Sequence, residues 1–307
     1  MSDKKIHIVF NPASAGGKTG QKRKKILSEL KYYLGNTFSF SETTKVADAT
    51  AITRKVVTKG CNTIIAVGGD GTVNQVLNGF FNNGISINPE IKLGVISFGT
   101  GQGFAQSLGL PTDLSSQIKV IKDNRIKSVD VGKIIFKDHY IPKYFINEFQ
   151  VGIGGSLNKT ISPRTKKMLG RFAFGFEAVK TLFNYEADEL QMIINGKTIS
   201  ENIIGVVISN GAYTGGGMKL TPNALLNDGF LDVLVIKDMS LVNRLVSFSK
   251  IYSANHINRE AFQLIKTKRV EFKNLNGLAA ESDGELIVDK CVCVKVLPLA
   301  LNVITNN

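Results

Sequence analysis

The sequence predicts an α/β fold followed by a second, β-rich part: a parallel-sheet domain over residues 1–126, then an antiparallel β domain over 127–296, with 297–307 able to pack back on the first. Three observations predict it. The chain has 307 residues, more than one compact core usually organises. Short β-rich runs alternate with helix-like segments through the first third, as stacked βαβ units require. After Asn124 the texture changes to runs of alternating apolar and polar residues, the mark of an antiparallel sheet.

Taken in order, Ile6 to Phe10 reads as a strand, Lys18 to Leu34 as a helix, Phe38 to Ser41 as a strand and Ala47 to Lys59 as a helix. Thr63 to Val67 follows as a strand, Thr72 to Phe81 as a helix and Leu93 to Ile96 as a strand. In the second part the strand-like runs are Ser128 to Phe136, Leu190 to Ile194, Gly205 to Ile208, Phe230 to Ile236, Val270 to Phe272 and Cys291 to Val296. A helix-like segment, Lys166 to Phe183, interrupts them, and Leu297 to Ile304 is apolar enough to pack. Ligands of parallel sheets bind beyond the carboxyl ends of the strands. That places the site at Asn11 to Gly17, Gly68 to Thr72 and Gly99 to Gly103.

Composition narrows the function. Charged residues make up 21% and hydrophobic residues 43%, and no segment approaches the roughly 18 apolar residues of a spanning helix. Met1 to Lys5 lacks the pattern of a signal peptide, so a cytoplasmic protein is expected. Cys61, Cys291 and Cys293 are too few for a disulfide framework or zinc site and read as buried small hydrophobes. A net charge of +13 favours an anionic partner such as a nucleotide or an anionic lipid surface. No basic and aromatic interleaving of a nucleic-acid module is present, so nucleic acid is not expected.

The strongest motif is Val67-Gly68-Gly69-Asp70-Gly71-Thr72, which ends a strand and opens a helix. Its glycines let backbone approach a phosphate, and the helix adds unpaired N–H groups and a positive dipole end. Asp70 would repel that anion directly, so its useful role there is to hold Mg2+ through water. A plain Asp-Gly turn is the alternative. Asn11-Pro12-Ala13-Ser14-Ala15-Gly16-Gly17-Lys18-Thr19 only superficially approaches a phosphate-binding loop, because Pro12 stands where its first glycine should be. In Glu281-Ser282-Asp283-Gly284-Glu285, an extended backbone would project Asp283 and Glu285 from one face. Such a pair can divide the work of general base and metal network, although a solvated acidic turn has the same composition. Three histidines, His7, His139 and His256, have no nucleophile arrangement around them and read as structural.

The order of Asn11-Pro12-x-Ser14, Gly68 to Asn74, Gly99-Thr100 with Phe104-Ala105, Asn227-Asp228-Gly229 and Asp283-Gly284-Glu285 resembles the diacylglycerol kinase catalytic-domain family, which includes bacterial lipid kinases and sphingosine kinases. The resemblance spans nearly the whole chain. It implies a nucleotide domain of the kind shared with NAD kinases, a carboxy-terminal β-sandwich, and a site between them that uses ATP to phosphorylate a lipid hydroxyl at a membrane surface. By position it implies ATP contacts at Asn11, Pro12, Ala13, Ser14, Ala15, Thr43, Gly68, Gly69, Asp70, Gly71, Thr72, Val73, Asn74 and Thr100. It implies a proton acceptor at Glu285 with Asp283 beside it. It also implies a structural cation at Asp228 and the carbonyls of Leu225 and Phe230, where a plain turn is the alternative. Peripheral membrane contact follows, and a homodimer is compatible.

One departure stands out: Gln102-Gly103 occupies the place where the resembling family usually carries Asn-Asp, and Gln106 the place where arginine is frequent. The missing acid bears on substrate choice or competence, and leaves an NAD kinase-like enzyme or a non-catalytic nucleotide- or lipid-binding regulator as rival readings. In the segment Lys166 to Phe183, Met168, Phe172, Phe176, Val179 and Phe183 share one helical face among basic residues. A lipid-facing cover and an ordinary core-packed helix both carry that pattern.

Overall fold

The computed structural model describes residues 5–45, 48–98, 102–160, 179–275 and 277–306. Its first part is a parallel sheet of β1 (Ile6–Phe10), β2 (Phe38–Glu42), β3 (Thr63–Gly68) and, after a small hairpin β4 (Phe81–Asn82) and β5 (Ile85–Ser86), β6 (Lys92–Ser97). The order across it is β2-β1-β3-β6. Helices α1 (Lys18–Gln21), α2 (Arg23–Leu34), α3 (Asp48–Thr58), α4 (Asp70–Gly79), α5 (Gly103–Ser107) and α6 (Leu114–Asp123) connect the strands. The apolar runs of β1 and β3 are continuous because both faces are covered. Ile8, Phe10, Ile65 and Val67 pack with Ile26, Leu30 and Ile118 of α2 and α6. Val9, Ile64 and Ala66 turn to the opposite side, against Val73, Val76 and Leu77 of α4.

The single helix expected over Lys18 to Leu34 is two. Gly20 N–H donates to the Pro12 carbonyl at 3.1 Å, which pins α1 to the preceding loop, and the axis breaks at Lys22.

The second part is antiparallel: β7 (Arg125–Phe136), β8 (Lys143–Phe145), β9 (Glu148–Gly152), β10 (Asp188–Ile194), β11 (Lys197–Ser209), β12 (Leu231–Lys237), β13 (Phe262–Thr267), β14 (Arg269–Phe272), β15 (Ala280–Ser282), β16 (Glu285–Ile287) and β17 (Cys291–Thr305). Two helices, α7 (Ile153–Thr160) and α8 (Leu241–Lys250), lie beside them. Inward residues such as Phe145, Phe149, Leu190, Val206, Val233 and Val294 fill the sandwich core. On the outer face of β11 and β12, Val207 and Leu234 pack instead with Met218, Ile251 and Phe262. Of the proposed cover, Met168, Phe172 and Phe176 lie outside the described residues. Residues 179–184 are helical, with Phe183 exposed.

Strand β17 joins the two parts. Residues expected as two separate runs form one 15-residue strand along β7, with a register shift between Leu297 and Leu301. Its end lies parallel to β6, pairing Asn302 with Lys92 and Val303 with Leu93. The three cysteines are free and buried, and burial pushes the His7 ring down to about 4, as suits structural roles.

Candidate active site

The carboxyl ends of β1 and β3 lie side by side, and their loops are bonded to each other. Asn11 donates from its side-chain amide to Thr72 Oγ1 at 2.9 Å, while its own Oδ1 accepts from Ala13 N–H at 3.0 Å. Ser14 Oγ is 2.9 Å from the Asn11 carbonyl and 2.7 Å from Thr19 Oγ1. Thr43 N–H donates to the Phe10 carbonyl, which places Thr43 at the same rim. Gly68 is required here, because a Cβ on it would collide with the Thr72 side chain. The α4 helix starts at Asp70 with no side-chain cap, and the space over Gly71 is open. Free amides and a helix dipole at an open glycine suit a phosphate.

Asp70 accepts from Gly103 N–H at 2.9 Å and Phe104 N–H at 3.2 Å, so it anchors the start of α5. The Asn147 side chain also bonds it, so three of a carboxylate's four or so acceptor positions are used and one is left for a water-bridged cation. Burial raises its pKa. Val73 and Asn74, expected on the nucleotide, point inward instead: Val73 is core, and Asn74 is buried. Thr100 lies outside the described residues.

Asn74 is one side-chain link between the two parts. Its amide donates to Asp283 Oδ2 at 2.7 Å and to the Tyr144 carbonyl at 3.0 Å. One helical position along, Gln75 donates to Glu285 Oε1 at 2.8 Å. Groups 209 and 210 residues apart in the chain therefore meet across one crevice.

The acidic segment is a hairpin turn and not the extended run that would put Asp283 and Glu285 on one face. Ser282 pairs with Glu285, and Asp283 and Gly284 sit between them at φ 46° and 84°. Two consecutive positive φ values define a type I′ turn, for which Asp-Gly is a favoured pair. Asp283 is no open base. It is buried and accepts from Ile146, Asn147 and Glu148 N–H groups at 2.8–3.0 Å as well as from Asn74. Burial pushes it up to about 6 even so. Glu285, half-buried at the rim, is the better placed of the two to meet a substrate.

The acids open onto a cavity of about 410 Å³. It is lined by Asp70, Gly71, Glu148, Asp283 and Glu285 together with apolar residues such as Val207, Met218, Ile236, Phe248, Ile251 and Phe262. Glu148 was not singled out in the sequence. It is fully buried, takes a hydrogen bond from the Thr214 hydroxyl, and is pushed up to about 8 by burial and then by the neighbouring Asp283 charge. A lone acid inside the apolar run Tyr144 to Val151 was the signal available, since an acid buried there needs a reason. Asp130, also missed, is buried and accepts from Gly229 and Leu299 N–H groups at 2.7 Å, fixing the 227–229 turn to β17.

At that turn the carboxylate expected to hold a structural cation meets a lysine. Asp228 Oδ2 is 2.6 Å from the Lys266 ammonium, and its Oδ1 accepts from Phe230 N–H, so Phe230 meets it through its amide. Leu225 is exposed. Among the described residues no group of three His, Cys, Asp or Glu side chains is arranged to hold a metal ion.

Sequence and fold comparisons agree with this architecture. Residues 5–134 match the diacylglycerol kinase catalytic domain, and residues 149–305 match the YegS C-terminal NAD kinase beta sandwich-like domain. The chain is 27% identical over 283 residues to a diacylglycerol kinase of Bacillus subtilis (strain 168), covering 92% of this chain and 90% of that protein. It is 26% identical over 286 residues to one of Staphylococcus saprophyticus, covering 92% and 89%. A crystal structure of a diacylglycerol kinase from Bacillus anthracis str. Sterne superposes with a TM-score of 0.72 at 21% identity, covering 100% of this chain and 98% of that one, which shows the shared fold. The two-part architecture is thus that of the lipid kinase class. The chain belongs to the diacylglycerol kinase family.

Proposed function

We propose that the protein transfers the γ-phosphoryl group of ATP to a hydroxyl of a lipid that it takes from a membrane surface. The observation that carries this reading is the junction at the cavity mouth, where the open amino terminus of α4 and the Glu285 hairpin meet above an apolar chamber. Phosphate binds the amides around Gly68 to Gly71, and the Asn11 and Ser14 network holds the adjoining loop in place. Asp70 is the residue that would hold a magnesium ion, which would supply charge neutralisation at the phosphates. Glu285 accepts the hydroxyl proton, oriented by Gln75, and Asp283 positions the hairpin. An apolar chamber suits a hydrocarbon chain and would leave the polar groups of a dinucleotide unpaired, which favours a lipid over NAD.

Peripheral membrane contact is part of the reading. No described helix is long and apolar enough to cross a membrane. Beside the cavity, Phe183, Leu241, Val242 and Val246 expose apolar side chains. Arg244 ties these elements together, donating to the Leu182 and Tyr185 carbonyls and pairing with Asp238. Exposed apolar residues on a protein of net charge +13 suit an anionic bilayer surface.

The test is incubation with labelled ATP, magnesium and a total lipid extract, with mass spectrometry of the labelled product and NAD as a parallel substrate. A phosphorylated lipid is expected. Labelled NADP with no labelled lipid would overturn the proposal.

A further inference from the structure

Position 103 cannot carry the acid that the family resemblance led one to expect there. A Cβ on Gly103 would lie 2.6 Å from the Tyr213 carbonyl oxygen and 3.4 Å from Thr214 Cα, so the backbone of that loop fills the space of a side chain. The next residue of the same loop, Thr214, instead hydrogen-bonds a different acid, Glu148 of β9. Glu148 lines the cavity between the apolar wall and the Asp283–Glu285 turn. Nothing in the proposed phosphoryl transfer uses it.

Its surroundings define its chemistry. Glu148 meets the Thr214 hydroxyl and the Gln150 side chain, and the charges it feels, from Asp283 and Asp70, are both negative. Arg244 also lines the cavity but is engaged with Asp238 and three backbone carbonyls. Burial, and then the neighbouring Asp283 charge, favour the protonated form of this carboxyl over the hydrogen bonds from Thr214 and Gln150, which makes it a hydrogen-bond donor among acceptors.

We propose that Glu148 is a specificity contact of the lipid site, a neutral carboxyl that donates its hydrogen to an oxygen of the lipid head group next to the phosphorylated hydroxyl. This rests on the lipid kinase reading for the identity of the ligand. The ligand class it selects is a lipid whose head offers an acceptor oxygen, such as an ester carbonyl or second hydroxyl, one or two bonds from the reacting hydroxyl. A simple long-chain alcohol lacks that group.

Two measurements test it, with micelles of dioctanoylglycerol, monooleoylglycerol or sphingosine as probes. In infrared difference spectra of wild type against Glu148→Gln, a protonated-carboxyl band is expected at neutral pH, and it shifts when at least one probe is added without ATP. In turnover assays on the lipid that responds, Glu148→Leu is expected to raise KM about tenfold or more, with a smaller change in kcat. Glu148→Gln, which retains a donor, loses severalfold less than Glu148→Leu. A purely structural role would lower the thermal midpoint of both variants and leave the KM ratio between a glycerolipid and a long-chain alcohol unmoved. Absence of the band, or a band indifferent to all three probes, overturns the proposal. A responsive band in a protein that phosphorylates no lipid would instead overturn the kinase reading and leave the contact standing.

Discussion

The chain uses the dipeptide Asp-Gly twice in its candidate site, and the two copies take opposite backbones. Asp70-Gly71 opens a helix, with no side-chain cap before it and open space over the glycine. Asp283-Gly284 forms a two-residue turn at positive φ, clamped from every side. Both carboxylates accept backbone amides from another element, α5 in the first case and the 146–148 segment in the second. The difference lies in what remains. Asp70, bonded by Gly103, Phe104 and Asn147, keeps one acceptor position beside the open space over Gly71, whereas Asp283 takes four donors and leaves the more accessible chemistry to Glu285 beside it. One Asp-Gly is arranged to receive a ligand and the other to hold a scaffold.

Removing each acid is the sharpest way to break this contrast. Asp283→Ala strips four donors of their acceptor in a buried place, and a loss of about 3 kcal/mol or more is expected, read by chemical denaturation. A loss below 1 kcal/mol would show that Asp283 is no scaffold. Asp70→Asn retains an acceptor for α5, so only about 1 kcal/mol of stability should go, while the magnesium dependence of turnover weakens. An unchanged magnesium titration would remove Asp70 from the cation's surroundings. Gly284→Ala forces a side chain to φ 84° and should cost about 1–2 kcal/mol, whereas Gly71→Ala, in open helical space, should cost no stability and reduce nucleotide affinity if phosphate lies over it.

The pH dependence of stability tests the buried acids together. Glu148 rises from 4.5 to about 8 on folding, so the folded state binds its proton more tightly than the unfolded one. Its contribution is full below pH 4.5 and is lost as pH rises to about 8. Thermal midpoints of wild type should fall by several degrees across that window, and those of Glu148→Gln should fall less. Equal slopes would place the proton elsewhere. Asp283 acts in the same direction over the lower part of the window and remains in both proteins.

Much of the fold was legible because the parallel strands are continuous apolar runs with polar loops at their carboxyl ends. Ile6–Phe10 and Thr63–Gly68 stand within a residue of their expected bounds. The Gly68 to Thr72 loop and the Asp283 to Glu285 acids were legible as motifs, but their conformations were not. Asp-Gly suits both a helix start and a type I′ turn, and only pairing across the chain decides between them. At the Asp228 turn, the partner Lys266 comes from the neighbouring strand, which register brings near and sequence distance conceals. Glu148 was missed because a single acid in a strand has no spacing to read. Its meaning comes from the cavity, Thr214 and the filled space at Gly103.

The most direct test of the central claim, that the α4 amino terminus and the hairpin acid act across one crevice, is a comparison of Glu285→Gln with wild type in nucleotide binding and in single-turnover phosphorylation of the lipid. The account predicts nucleotide affinity within about twofold and a phosphorylation rate lowered on the order of a hundredfold or more. Undiminished phosphorylation by Glu285→Gln would contradict it.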